Sequence, residues 1–298
     1  MAVDAPLLIA DVPWLLYRAY FSLPKSIKGP NGESVNALLG TVNALLAAIE
    51  SEKPRAVVAC FGAEEARYRV QAYPAYHAHR DPMPDDLAAQ WPLAPDLLAS
   101  LGWYIADAGD LEADDAMGSH ARTEAEAGGR ALLLTADRDL YQAVDERVAV
   151  LELGKGGACV SLGPAQVKER YGVTPEQVPD FIALRGDPSD GIPGAPGIGA
   201  KTAASLLQTY DTLEALLETA DRQMAEANFG DLRPRVAGTL SESAELLRTF
   251  KRIATLVAIK VKRPSNTPTD FAAGAARAQE LGMKRLAERL DTLDLPTA

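Results

Sequence analysis

Acidic side chains crowd into two short segments of this 298-residue sequence. Glu112, Asp114 and Asp115 lie within four consecutive positions, and Asp137 and Asp139 follow further along the chain. Crowded carboxylates repel one another and raise each other's pKa unless a positive charge lies between them. Oxygen ligands without Cys or His favour Mg²⁺ or Mn²⁺. The sequence therefore predicts a divalent-metal site built from carboxylates.

The apolar pattern predicts the elements that would position these acids. Five runs have the length and composition of buried strands, at residues 7–10, 56–61, 103–106, 131–134 and 148–151. Helical periodicity separates them at residues 35–50, 85–101 and 114–127. Such alternation is typical of an α/β fold, with a mostly parallel sheet covered by helices on both faces.

The pattern becomes helical after about residue 164, with one further strand predicted at 254–261 and a helix in the tail after Pro264. We therefore expect two parts, an α/β domain over residues 1–170 and a helical subdomain over residues 171–298.

The acids fall where such a sheet binds ligands, outside the carboxyl ends of its strands. Asp11 directly follows the first apolar run, and Asp137 follows the fourth. In the helical part, Asp187 and Asp190 are three residues apart and lie on one side of a turn. Taken singly, Asp11, Asp187 and Asp190 can also be helix caps or turn residues, and Asp115 a solvated helix acid. The recurrence of eight carboxylates at such positions favours metal binding.

A glycine-rich loop, residues 194–199, leads into a predicted helix that contains Lys201 and Thr202. Its spacing differs from a Walker loop, and no strand precedes it, as a dinucleotide fingerprint requires. The loop fits a helix-hairpin-helix at about residues 192–208, whose backbone N–H groups hold a DNA backbone without reading bases. A simple helix C-cap followed by a turn is the other interpretation.

Composition bounds the function classes. The net charge of −11 argues against a nucleic-acid partner, but metals bound by the carboxylates are not counted in that sum. Basic residues cluster at Arg67, Arg69, Arg80 and Lys201, and again near the C-terminus at Lys251, Arg252, Lys260, Lys262 and Arg263, where they can equally be solvated surface residues. Two cysteines exclude a disulfide framework. Without a leader or an 18-residue apolar run, we expect a cytoplasmic protein with no membrane partner.

Taken together, these motifs resemble the bacterial 5′ nucleases of the flap endonuclease class, including the nuclease domain of DNA polymerase I. The matching residues are Asp11 with Tyr17 and Arg18; Arg69, Tyr76 and Arg80; residues 112–115; residues 135–140; and residues 186–194 running into 197–203. They occur in the family's order over about residues 5 to 260. No polymerase region follows, so the chain is similar to a stand-alone paralogue.

The resemblance implies a PIN-like nuclease with a two-metal site, a helical arch at about residues 68–90 and a three-helix form of the helix-hairpin-helix. Asp11, Glu112, Asp114 and, through water, Asp115 would hold one Mg²⁺ or Mn²⁺, and Asp137, Asp139, Asp187 and Asp190 the other. Arg69, Tyr76 and Arg80 would contact a single-stranded 5′ end, with His77 and Arg80 near the reacting phosphate. Gly197, Gly199, Lys201 and Thr202 would bind duplex backbone, with K⁺ at the hairpin.

On this resemblance we expect a monomeric, nucleoid-associated 5′→3′ exonuclease and flap endonuclease of replication and repair. Its partners would be DNA with 5′ flaps, nicks or free 5′ ends, or RNA–DNA. A weakened paralogue that mainly binds branched DNA and a PIN-type ribonuclease are the alternatives.

Three positions depart from the family pattern. Gly62 replaces an Asp near the first metal, with Glu64 and Glu65 close by in sequence, and Gly191 replaces an Asn in a turn. His77 replaces a Lys and is largely neutral at pH 7 to 8. Losing that fixed charge predicts a slower enzyme, by about 2 to 4 kcal/mol of transition-state stabilisation, or one that works better at lower pH.

Overall fold

A six-stranded sheet forms the centre of the computed structural model, which describes residues 5–154, 158–228, 230 and 232–293. Its strands are β1 (Leu7–Asp11), β2 (Ala56–Phe61), β3 (Tyr104–Asp107), β4 (Ala131–Leu134), β5 (Val148–Leu153) and β6 (Cys159–Leu162). They are ordered β3-β2-β1-β4-β5-β6, and every neighbouring pair is parallel except β5 and β6. The α/β prediction and its five strands are confirmed.

The helices along the first half of the chain are α1 (Val12–Ser22), α2 (Asn36–Glu52), α3 (Arg67–Ala72), α4 (Asp85–Ala88), α5 (Ala94–Ser100), α6 (Ala113–Glu126) and α7 (Pro164–Tyr171). The single helix predicted at 85–101 is divided into α4, a 3₁₀ turn at Trp91–Leu93 and α5. Pro92 and Pro95 explain the division, because proline lacks the N–H that a continuous helix needs. The segment predicted as a helical arch thus contains the short helices α3 and α4 joined by an irregular connection.

The second half consists of α8 (Val178–Arg185), α9 (Ala200–Tyr210), α10 (Leu213–Glu226), α11 (Pro234–Ala254), α12 (Phe271–Glu280) and α13 (Lys284–Thr292). Helices α8 to α11 share one core with α6 and one face of the sheet. Helices α12 and α13 instead pack with α5, in the core on the opposite face. The last part of the predicted helical subdomain therefore lies against the α/β part.

Two strand predictions differ from the structure. The prediction of a strand at 254–261 is wrong, because side chains of α6 accept the hydrogen bonds that its backbone N–H groups would make to a neighbouring strand. Val257 N donates to Asp115 Oδ1 at 2.6 Å, and Ile259 N donates to Ser119 Oγ at 3.0 Å. The edge strand β6 was not predicted, since the polar Ser161 interrupts its short apolar run. Among the described residues, no helix is both long and apolar enough to cross a membrane.

Candidate active site

An acidic cleft of about 800 Å³ opens at the carboxyl ends of the central strands. Six of the eight predicted acids line this acidic cleft: Asp11, Glu112, Asp114, Asp137, Asp139 and Asp190. They come from the ends of β1 and β4, the start of α6 and the turn after α8. In sheets of this kind the ligand crevice forms where the strand order reverses, here between β1 and β4.

Asp11 and Thr135 join the two strands at that point. Thr135 Oγ1 donates to Asp11 Oδ2 at 2.8 Å, and Trp14 N donates to Asp11 Oδ1 at 3.0 Å. Asp11 therefore caps α1 and also lines the cleft, so the helix-cap interpretation and the metal-site interpretation are compatible. The cap fixes the carboxylate at the floor of the cleft.

The cleft concentrates negative charge. Desolvation, followed by repulsion from neighbouring carboxylates, raises the pKa of Asp114 and Asp139 well above the ordinary value. Desolvation and then Asp190 raise the pKa of Asp137 to about 7, and desolvation also raises the pKa of Asp11. A divalent cation would relieve this cost.

The donor set fits a hard cation, since it consists of carboxylate oxygens. As the side chains stand, no three acidic, His or Cys residues of the described chain converge tightly enough to hold a metal ion.

Arg69 and Tyr76 hold Glu112 in place. Arg69 Nη1 lies 2.5 Å from Glu112 Oε2, Tyr76 Oη donates to Glu112 Oε2 at 3.1 Å, and Ala66 N donates to Oε1 at 2.7 Å. Arg69 and Tyr76 are each 3% exposed. The paired carboxylates of Glu112 and Asp115 draw the Arg69 guanidinium inside, while Tyr76 also lines the cleft. The contact with a single-stranded 5′ end expected of both residues stays a prediction.

Asp115 is turned away from the cleft. It is fully buried and accepts hydrogen bonds from Arg69 Nη2 at 3.2 Å, from Glu112 N at 3.3 Å and from Val257 N at 2.6 Å. The water-mediated metal role expected of Asp115 stays a prediction, since its carboxylate lies outside the cleft lining in this structure. Its carboxylate instead ties the start of α6 to the chain after α11.

Asp187 and Asp190 occupy one turn but face different surroundings. Asp190 lines the cleft, and its Oδ1 lies 3.1 Å from both His77 Nε2 and Arg80 Nη2. Asp187 lies outside the cleft lining, where its Oδ1 accepts from Ser189 N at 2.9 Å and its backbone pairs with Ile192. The turn interpretation describes Asp187 well, although its charge still contributes to the raised pKa of Asp137.

His77 is held in an unusual backbone conformation. Its φ is +57°, its ring stacks on Tyr76 with centroids 3.8 Å apart, and its N–H donates to Asp190 O at 3.1 Å. Left-handed backbone is uncommon for a residue other than glycine. The contacts with Asp190 offset the energetic cost of this backbone conformation. Through these contacts, His77 and Arg80 attach the segment after α3 to the cleft.

Gly62 permits a close approach of two loops. A Cβ at this position would lie 2.4 Å from Leu111 O and 2.7 Å from Ala113 N, and Ala63 N donates to Leu111 O at 2.8 Å. Any side chain here would displace the backbone that carries Glu112. Glu64 and Glu65 also line the cleft, and Glu64 accepts a hydrogen bond from Tyr17 Oη at 3.0 Å.

The glycine-rich loop forms a hairpin between α8 and α9. Ala195 and Ile198 are buried and anchor it, and Ala195 N donates to Leu184 O at 2.9 Å. Gly197, Gly199, Lys201 and Thr202 are exposed, and no side chain caps α9. The hairpin therefore presents free backbone N–H groups and one lysine to solvent.

Two family models together match nearly the whole chain. The 5′-3′ exonuclease N-terminal resolvase-like domain matches residues 6–172, and the 5′-3′ exonuclease C-terminal SAM fold matches residues 173–274. The chain belongs to the 5′-3′ exonuclease family.

Relatives at full length support this membership. The chain is 33% identical to a 5′-3′ exonuclease of Mycobacterium tuberculosis over 97% of its own length and 99% of the relative's. It is 35% identical to a 5′-3′ exonuclease of Streptomyces coelicolor, covering 96% and 99% of the two chains. It is also 37% identical to a DNA polymerase I of Thermus thermophilus, but spans only 32% of that protein.

Solved structures share the fold of this 5′-3′ exonuclease family member. The bacteriophage T5 D15 protein co-crystallised with metal ions has a TM-score of 0.66 at 16% identity, with 96% of each chain covered. The catalytic core of Rad2 in complex with a DNA substrate has a TM-score of 0.63 at 10% identity, covering 97% of this chain and 92% of that one.

An aromatic wall on the outer side of the cleft was missed by the sequence reasoning. It is formed by Trp14, Tyr17, Phe21 and Trp91. Tyr17 packs edge-on against Trp91 with centroids 5.9 Å apart, and Phe21 is 70% exposed. The signal was available, because Trp14, Tyr17 and Phe21 recur at i, i+3 and i+7 directly after Asp11, on one face of a helix.

Proposed function

We propose that this chain is a metal-dependent, structure-specific 5′ nuclease that hydrolyses DNA phosphodiesters as a 5′→3′ exonuclease and flap endonuclease. The observation that carries the proposal is that six carboxylates line one cleft at the sheet's switch point. Family membership supports the reaction class, and the exposed hairpin supports a backbone-binding mode. The substrates are 5′ flaps, nicks and free 5′ ends, in replication and repair at the nucleoid, with the chain acting as a monomer.

Asp11, Glu112 and Asp114 would hold one Mg²⁺ or Mn²⁺, and Asp137, Asp139 and Asp190 a second, with Asp187 reinforcing the negative charge from outside the cleft. Bound metals supply an activated water and stabilise the leaving oxygen. The chain's own residues orient these ligands: Arg69 and Tyr76 fix Glu112, and Thr135 fixes Asp11. Arg80 pairs with Asp190 at 3.1 Å, and its side chain, which is 46% exposed, would meet a phosphate at the cleft mouth.

The hairpin of Gly197, Gly199, Lys201 and Thr202 would bind duplex backbone, with K⁺ as a further ligand of its carbonyls. We place the boundary between nuclease and DNA-binding parts near residue 170, supported by the division of the two family models. Helices α12 and α13, which pack with α5, are better assigned to the nuclease part.

A weakened paralogue is the second candidate. The observation that favours it is His77, which occupies a cleft position without a fixed positive charge and is bound to Asp190. A PIN-type ribonuclease is less well supported, because the hairpin and the helical part provide a surface suited to duplex backbone.

Cleavage of a 5′-labelled flap duplex with Mg²⁺ or Mn²⁺, scanned from pH 6 to 9, tests the proposal. A structure-specific nuclease yields cut products near the flap junction and cuts single-stranded RNA of the same sequence poorly. Tight flap binding without products would identify a binding paralogue. A preference for the RNA would identify the ribonuclease.

His77→Lys is expected to speed flap cleavage at pH 8 by roughly tenfold or more, because a fixed cation near the reacting phosphate stabilises developing charge. Single-turnover rates of the two proteins at pH 8 measure this. An unchanged or lower rate for His77→Lys would contradict the charge argument.

Lys201→Ala is expected to weaken binding to all duplex-containing substrates alike and to reduce the slope of log K against log salt by about 0.9, the value for one phosphate contact. Binding titrations in EDTA on two unrelated duplex sequences at several salt concentrations measure both effects. A loss confined to one sequence would be inconsistent with backbone recognition by the hairpin.

A further inference from the structure

A second concavity, of about 480 Å³, lies on the other side of the turn that carries Asp137 and Asp139. We name it the arginine groove. It is lined by Arg138, Arg170 and Arg185, by Tyr141, Tyr171 and Phe181, and by Glu152, Ala136 and Ala200. Arg138 stands between two cleft acids in sequence but lines this groove, and Ala200 is the first residue of α9. The arginine groove thus lies between the acidic cleft and the hairpin.

Charge in the arginine groove is only partly balanced. Glu152 pairs with Arg170 at 2.5 Å and accepts from Tyr141 Oη, and Arg170 Nη1 lies 3.0 Å from the same phenol oxygen. Within the described residues, the side chain of Arg138 has no hydrogen bond or ion pair, although its charge helps to lower the pKa of Glu152. The guanidinium of Arg185 lies over the ring of Phe181, at 5.8 Å from the centroid. Three guanidinium groups therefore face one carboxylate, beside the positive end of α9.

The aromatic side chains make this arrangement rigid. Tyr171 packs on Tyr141 with centroids 5.4 Å apart and on Phe181 at 6.2 Å, so the floor of the groove is a continuous set of rings. Tyr141 and Phe181 are buried and belong to the core between the sheet and the helical part. The guanidinium groups are thus carried on fixed supports, a condition for recognising a planar or tetrahedral anion.

We propose that the arginine groove binds one phosphodiester of the nucleic-acid backbone, between the duplex-binding hairpin and the acidic cleft. The proposal rests on the proposed nuclease function and adds a binding site to it. A guanidinium fork and a helix N-terminus are the groups that recognise phosphate without reading bases. Because the groove spans residues matched by both family models, a phosphate bound there would fix the spacing between hairpin and cleft.

Arg185→Gln tests the site, since the side chain of Arg185 has no hydrogen-bond partner among the described residues and lies outside the acidic cleft. The matched control is Arg285→Gln, an exposed arginine on α13 at the opposite side of the sheet. Binding of a 5′-flap duplex is measured in EDTA over a range of salt concentrations. We expect Arg185→Gln to weaken binding about tenfold and to lower the salt slope by about 0.9, with the control unchanged. Equal slopes for both variants would overturn the proposal.

A backbone scan identifies the anion. Single uncharged methylphosphonate linkages are placed along the flap duplex, and each is titrated against the wild type and Arg185→Gln. One linkage is expected to weaken the wild type about tenfold while leaving Arg185→Gln without further loss. If no linkage behaves in this way, and inorganic phosphate protects the wild type but not the variant against heat, the groove binds free phosphate and the backbone assignment is wrong. Failure of the wild type to bind flap DNA at all would instead refute the nuclease proposal.

Discussion

Asp137→Asn is expected to abolish flap cleavage and, at the same time, to stabilise the metal-free protein at pH 8. The loss should be at least about 1,000-fold, or about 4 kcal/mol, if the carboxylate helps to hold a catalytic metal. Flap binding should stay nearly intact, because the hairpin lies elsewhere. Asparagine retains the oxygen that accepts from Asp139 N at 2.8 Å, so the local turn is preserved.

The stability gain follows from the sign of the pKa shift. The pKa of Asp137 rises from 3.8 to about 7 on folding, so between these values the folded chain binds more protons than the unfolded chain. The contribution of Asp137 to the stability of the metal-free protein therefore falls as pH rises from about 4 to 7 and levels off above. The full shift corresponds to an upper bound of about 4 kcal/mol, and removing the charge recovers part of it.

Thermal unfolding in EDTA at pH 5 and pH 8 measures this effect, with Asp96→Asn as the control because Asp96 is exposed on α5. The wild type should melt several degrees lower at pH 8 than at pH 5, and Asp137→Asn should show a smaller difference. Mn²⁺ added at pH 8 should raise the melting temperature of the wild type more than that of the variant. Cleavage that survives the substitution would remove Asp137 from the metal site.

The sheet and the position of the acids follow from the sequence because both obey local rules. Parallel strands that are buried on both faces appear in the sequence as apolar runs. Because the carboxyl ends of such strands lie at one edge of the sheet, the sequence alone predicts that Asp11 and Asp137 are close together. The prediction of a strand at 254–261 is wrong because the structure of this segment depends on distant residues rather than on local rules. Its backbone partners are Asp115 and Ser119, far away in sequence, and no periodicity reports such bonds.

The same limit explains the site residues that sequence reasoning could not sort. Asp187 and Asp190 lie in the same turn, and the sequence does not show which of them faces the cleft. Only the packing of His77 and Arg80 against Asp190 distinguishes them. The sequence suggests that Arg69 is a surface cation that contacts DNA, whereas in the structure Arg69 is buried between Glu112 and Asp115. Its partners lie more than forty positions away in sequence, so its burial is a property of the assembled fold.

Gly62→Asp is expected to inactivate the protein rather than to improve it. Comparison with the family pattern suggests that an aspartate here would complete the metal site. The structure opposes this, since the new Cβ would lie 2.4 Å from Leu111 O and 2.7 Å from Glu112 C. These are backbone atoms that cannot rotate away, so the loop carrying Glu112 must move. Overpacking of this kind costs about 1–3 kcal/mol, and the added carboxylate enters a cleft that is already strongly acidic.

Gly62→Ala separates the steric effect of the Cβ from the effect of the added negative charge, because it introduces the Cβ without the charge. If sterics dominate, both variants lose flap cleavage at least about tenfold and unfold at lower temperature. Gly238→Ala is the matched control: this glycine lies within α11, its added Cβ would meet no atom within 4 Å, and the change should stabilise the helix by about 0.5–1 kcal/mol. Faster cleavage by Gly62→Asp would show that the loop yields easily and that the missing carboxylate, not the close approach, limits the site. Retained stability with lost activity would instead mean that the backbone shift is confined to the loop that carries Glu112 into the cleft.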